Sequence, residues 1–382
     1  MSALLFVGAS LSGCAAHDPF EDWSDVGLAE RVEQMSRSDK PTDVGLPLHT
    51  DIGDGLAGVG AIDTYIAAAL SDNPDIKAAQ QRVERLRERI PQAKALPDPM
   101  ATFTFGELAQ TAAGQVDYIV GVQQSLPFPG TLDARGELAR QEVVAALHAM
   151  RAVVDEVTGD VRRAYWSYDG AIREIEVLEE SRSLLTQIDS AVSARVRVGN
   201  ASQADLLRIS REIAALENQI AEVRRRQQTA SAMLARLTSR PVPESWPRGE
   251  DSRWQKPGFD ADSLKRLAEQ GSPKVAEAQA RVQAFHRQYK LARRDRKPDF
   301  MVGFQYGAVR AGGLAPSANG DDQIAGTVGV SIPLWTDRYD AAEREALRGM
   351  GESLAQVRAA QDRVAYQIDE AACPDRSGGP VA

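Results

Sequence analysis

The sequence is short of cysteine, of aromatics and of long apolar runs, and each shortage removes a class of protein. Its two cysteines, Cys14 and Cys373, stand near opposite ends of 382 residues, so neither a disulfide framework nor a thiolate metal cluster can form. Aromatics at 6% are sparse for a compact enzyme core. Beyond the first residues no segment approaches the roughly 20 apolar residues of a membrane-spanning helix, so any crossing must use strands. Acidic residues outnumber basic ones, 54 to 45, and no basic face dominates, which argues against nucleic acid as a partner. That acidity reads as solubility or as an acidic lumen favouring cations. His17, His49, His148 and His286 lack ligand spacing and the methionines form no soft cluster, so no metal site is expected. Nor can a nucleophile-base set, a phosphate loop or a carboxylate pair be assembled, so the expectation is no catalysis and no cofactor.

What the sequence has in quantity is Ala, Glu, Arg, Leu and Gln in long stretches, the composition of extended coiled helices. At the start, a short apolar run leads into Leu11-Ser12-Gly13-Cys14, which resembles the lipobox of bacterial lipoproteins. Cleavage before Cys14 makes 1–13 a signal peptide and Cys14 an acylated first residue, with 14–60 an extended periplasmic segment. Ala15 behind the cysteine implies the outer membrane. No Lys or Arg precedes the apolar run, which keeps open a plain secretory signal with an incidental cysteine, and an upstream start.

A tandem repeat organises the rest. Asn73-Pro74-Asp75-Ile76 parallels Ser272-Pro273-Lys274-Val275, Pro97-Asp98-Pro99-Met100 parallels Pro298-Asp299-Phe300-Met301, and Ser125-Leu126-Pro127-Phe128 parallels Ser331-Ile332-Pro333-Leu334. In each repeat a short helix begins near Ala61 or Asp262, and a second runs from Pro74 to Ala95 or from Pro273 to Arg296. Two alternating segments follow, predicting strands over 99–107 and 116–126, then 299–308 and 323–333. Their length suits tilted crossings of a bilayer, although an ordinary half-buried hairpin alternates in the same way.

Between Gly130 and Val198 no proline interrupts the chain. Val153, Val157, Val161, Ala164, Tyr168, Ile172 and Ile175 keep an 11-residue repeat, which winds nearly straight. Leu178, Leu185 and Val192, and then Leu206, Ile209, Ile213, Leu216, Ile220 and Val223, keep a 7-residue one, so 130–239 is expected to be a coiled-coil hairpin. At its tip, Gly199-Asn200 can take left-handed backbone and Ser202-Gln203-Ala204-Asp205 reads as a capping box.

Val198-Gly199 followed by Asp205-Leu206 resembles the tip motif of TolC-family outer-membrane exit ducts, and the Pro-Asp strand entries and the Ser-Leu-Pro-Phe-Pro-Gly strand exit strengthen the likeness. The resemblance implies a fold that is mainly α with a small transmembrane β part: tandem helix-strand-strand-helix repeats forming a sector of a trimeric β-barrel plus α-helical barrel. It implies a homotrimer in outer-membrane lipid, working with a periplasmic adaptor and an inner-membrane pump of the RND type. Val198, Gly199, Asp205 and Leu206 become adaptor contacts by that likeness, while local geometry alone makes them turn-builders. The 124–130 segment is similar to members paired with heavy-metal exporters. The first repeat is placed at 61–240, a linker at 241–260, an incomplete second repeat at 261–372 and an irregular tail at 373–382. Applying the repeat's offset, a second hairpin is expected beyond 382, so the chain reads as C-terminally truncated and unable to form a working duct alone, or else as a short variant completed by another chain. The runner-up function is a periplasmic adaptor with a coiled-coil hairpin.

Overall fold

The structure, a computed structural model, describes residues 61–106, 110–247, 260–314 and 316–372. The expected signal peptide, Cys14, the extended segment, most of the linker, the tail and Cys373 lie outside those residues.

Three helices open the first repeat: α1 (Ala61–Asp72), α2 (Pro74–Arg87) and α3 (Arg89–Lys94). Asn73 makes the corner between α1 and α2. Its side chain accepts from the backbone N–H groups of Asp75 and Ile76, and Pro74 behind it occupies a first-turn position that needs no N–H. The single helix expected over Pro74 to Ala95 is broken at Glu88. Pro91 has no N–H to give the Arg87 carbonyl, and its ring crowds that carbonyl, so the helix restarts at Arg89. The second repeat has Lys290 in place of that proline, and its helix runs unbroken.

Strands β1 (Met100–Phe105), β2 (Gln110–Thr111) and β3 (Gly114–Leu126) follow, then helix α4 (Thr131–Arg197) and helix α5 (Gln203–Thr238). β1 stops short of the expected 107 because Gly106 turns the chain at φ 129. The 67 residues of α4 make a rod about 100 Å long. Gly130 launches it at φ 83, the left-handed region that favours glycine. The second repeat supplies α6 (Ala261–Gly271), α7 (Pro273–Asp295), β4 (Phe300–Arg310), β5 (Gln323–Val330) and α8 (Thr336–Ala372).

The core follows the predicted stripe. Val157, Val161, Ala164 and Tyr168 of α4 pack with Tyr65 and Ile66 of α1 and with Ala230, Leu234 and Leu237 of α5. Toward the tip the 7-residue seam thins: Leu178, Leu185, Leu206 and Ile209 are half-buried and Ile188 is exposed. Two ion pairs, Arg226–Glu174 at 2.8 Å and Arg224–Glu179 at 2.6 Å, bridge the two rods there. Being exposed, each stabilises by at most about 1 kcal/mol.

Trp246, just past α5, closes the cluster; sequence patterning misses it because it lies in a Pro-rich stretch with no period. Its indole N–H donates to Ser231 at 2.8 Å and its backbone N–H donates to the Tyr168 hydroxyl at 3.1 Å. The Tyr65 hydroxyl donates to the Pro247 carbonyl at 2.8 Å, and the Tyr65 and Trp246 rings meet edge to face. Burial, reinforced by Tyr165 and Tyr168, pushes Tyr65 from 10.0 up to about 12, against a smaller pull from Arg240. The folded value is the raised one, so this contribution to stability is complete below pH 10 and is lost as pH rises toward 12. Between about pH 8 and pH 11.5 the urea midpoint of the wild type should therefore fall further than that of Tyr65→Phe. Equal losses would remove Tyr65 as the source.

Candidate membrane wall and hairpin tip

The strands form one antiparallel sheet in the order β1-β3-β4-β5, with β2 folded back onto β3. The repeats share this sheet through the β3–β4 pair, which runs from Leu126↔Phe300 to Gln115↔Arg310 with a bulge between Val116 and Tyr118. The motifs at the strand ends hold that pairing. The Asp299 carboxylate accepts from the Phe128 N–H at 2.8 Å, tying the second repeat's Pro-Asp entry to the first repeat's strand exit. Asp299 also exchanges bonds with Ser331, donating its N–H to the serine hydroxyl and accepting from the serine N–H, each at 2.8 Å. β5 nevertheless ends at Val330 rather than 333, since Pro333 offers no donor to continue the ladder.

Registers sort the side chains into two faces. Phe103 lies opposite Val120, and Phe105 opposite Tyr118. Val122 pairs with Phe304, and Val302 pairs with Val328. All of these belong to one face, and they are exposed, up to 75% for Phe105 and 80% for Val328. The opposite face carries Thr102, Gly121, Gln123, Gln305 and Thr327. An ordinary half-buried hairpin would bury its apolar face; this sheet presents it outward and keeps the short polar side chains behind. That is the partition of a barrel wall with lipid on one side and water on the other. Its two edges, β1 and β5, are unpaired, and four long strands cannot close on themselves. No described helix is long and apolar enough to cross a membrane.

At the far end of the hairpin the turn spans 198–202. Gly199 takes φ 78 while Asn200 does not share the left-handed region expected of the pair. The Ser202 hydroxyl accepts from the Ala204 N–H at 3.1 Å. The reciprocal arm of a capping box is not formed: Asp205, shorter than the usual glutamate, pairs instead with Arg208 at 3.8 Å. Val198 is 70% exposed and an added Cβ at Gly199 would meet nothing within 4 Å. Asp205 is also exposed, whereas Leu206 is half-buried on the helix seam. Leu207, 71% exposed beside it, is the apolar side chain the motif reading passed over, because it falls outside the seam's period. The structure thus brings Val198, Gly199 and Asp205 to one accessible turn with Leu207, and places Leu206 inward.

Among the described residues no cluster of His, Cys, Asp and Glu has metal-binding geometry. His148 is half-buried on α4 and is held below the usual histidine range by burial first and Arg151 second, with Glu277 opposing.

These parts define a fold class: mainly helical, with a small antiparallel sheet shared by two repeats. Residues 65–240 match the family model described as outer membrane efflux protein, so the first repeat is similar to that family. The solved structures agree in fold. The outer membrane protein VceC from Vibrio cholerae superposes with a TM-score of 0.66 at 18% identity, over 81% of this chain and 77% of that one. CusC, described for conformational changes accompanying folding and transmembrane channel formation, gives 0.63 at 18%, over 81% and 75%. The CmeC outer membrane channel of Campylobacter jejuni gives 0.64 at 14%, over 81% and 70%. A search of curated proteins finds no match.

Proposed function

We propose that the chain is one protomer of the outer-membrane exit duct of a tripartite efflux system, a passive conduit driven by an inner-membrane pump of the RND type. The observation that carries this is the sheet: apolar outside, polar inside, and open at both edges. An open edge in lipid leaves backbone groups without partners, so β1 of one copy must pair with β5 of the next. Three copies close the wall by the family likeness. The same two-repeat sheet argues against the periplasmic adaptor reading, in which one hairpin is flanked by small β domains.

Cysteine pairs placed across that edge, scanning 101–105 of β1 against 324–330 of β5, should give a ladder ending at a covalent trimer in outer-membrane fractions. Only monomers at every register would reject the duct. The tip turn is the surface offered to the periplasmic adaptor, through Val198, Gly199 and Asp205. Acyl chains on Cys14 complete the attachment to the membrane, on the spacing of Leu11-Ser12-Gly13-Cys14. Intact mass of membrane-extracted protein should carry the acyl increment, and an unmodified Cys14 would refute this attachment.

A further inference from the structure

Four registers cross the water-facing side of the sheet, and each contains one glycine and no charge. From the helix side outward they read Ser125–Met301–Gly329, Met100–Gln123–Gly303–Thr327, Thr102–Gly121–Gln305–Ala325 and Thr104–Ile119–Gly307–Gln323. The glycines are staggered from strand to strand, so a longer side chain always has a bare neighbour to lie over. Gly121 shows this most tightly: a Cβ there would come 2.8 Å from the Thr102 hydroxyl. The charges on β3 and β4, Asp117 and Arg310, sit at the outer rim and pair with each other at 3.0 Å. The acidity of the whole chain, read above as solubility or as a cation-favouring lumen, is therefore absent from the described residues of this wall.

Pores that sort ions by sign do so with rings of fixed charge, whose field concentrates one sign of solute in the passage. Rows of Gly, Thr, Gln and Ser, interspersed with Met100, Met301, Ile119 and Ala325, carry no fixed charge and make no such field. A quarter or more of each row lacks a side chain, so little bulk projects from this face. We infer that the strand-built section of the duct does not select by charge and passes solutes by size, so that neutral and anionic organic molecules travel as freely as cations. This rests on the reading of the sheet as a barrel wall, and the test separates the two.

Thr327→Cys and Gln305→Cys, both at exposed positions on the water-facing side, are made in a Cys373→Ser background and compared with Val328→Cys on the apolar face. Outer-membrane vesicles at low salt are treated with a trimethylammonium methanethiosulfonate or with its sulfonate counterpart, and the rates are normalised to those of a small free thiol. The inference expects both water-facing cysteines to react, with a normalised cation-to-anion ratio within about threefold of one, and Val328→Cys to stay inert. A ratio above about tenfold in either direction, with Val328→Cys still inert, overturns the inference and leaves the duct standing. Inert Thr327→Cys and Gln305→Cys overturn both.

Discussion

Phe304→Arg should empty the outer membrane of this protein, while Gln305→Arg, one residue on, should leave it there. Phe304 sits midway along β4, between Val122 on one side and Gly326 on the other, with its ring exposed on the apolar face. A guanidinium at mid-depth on a lipid-facing strand costs about 2–4 kcal/mol, and closure of a trimer repeats that cost in each copy. Gln305 points to the opposite side, where an arginine keeps its water. The expected reading is loss of nearly all heat-modifiable oligomer for Phe304→Arg and near wild-type amounts for Gln305→Arg. Equal behaviour of the two variants would mean that the faces are misassigned.

At the other end of the molecule, Gly199→Trp should abolish efflux while the oligomer survives, and Gly199→Asn should retain efflux. A Cβ at Gly199 meets nothing within 4 Å, so the substitution creates no clash at the backbone, and loss is read as blocked docking or as backbone strain. Strain is common to both variants. A non-glycine residue at φ 78 costs on the order of 1–2 kcal/mol, and asparagine, whose side chain tolerates that conformation, bears the smaller share. Minimum inhibitory concentrations against a panel of exported compounds, measured beside oligomer yield, separate the readings. Efflux in both variants removes docking from this turn, and loss in both assigns the residues to building the turn.

Much of this arrangement was legible because its physics is periodic. The spacing of Val153, Val157, Val161, Ala164 and Tyr168 announced a nearly straight rod, and that stripe is where α4 meets α1 and α5. Alternation of Phe103 and Phe105 with Thr102 and Thr104 announced strands, although it could not say whether lipid or protein covers the apolar side. The register adds that the apolar side chains line up on one face across four strands and are exposed among the described residues, which is the basis for the lipid-facing reading proposed above. Features set by one residue were harder to read. Pro91 breaks a helix at Glu88 through a missing N–H and a steric clash, a signal that was present in the sequence and outweighed by the helical pattern around it. Trp246 closes the core from an irregular segment, and Asp299 ties two repeats together across 171 positions through a single carboxylate. Such long-range bonds leave no local trace. At the tip, the motif named Leu206, whose side chain serves the seam, while its neighbour Leu207 carries the exposed apolar surface.

The most direct test of the account is the environment of each residue along β5. Nitroxide labels placed one at a time from Gln323 to Val330 in outer-membrane vesicles can be read by power saturation with oxygen, which partitions into lipid, and with a nickel chelate, which stays in water. The account predicts strict alternation, with Ile324, Gly326, Val328 and Val330 favouring oxygen and Gln323, Ala325, Thr327 and Gly329 favouring nickel. Uniform accessibility to nickel along the strand would contradict it, because the sheet would then stand in water on both sides.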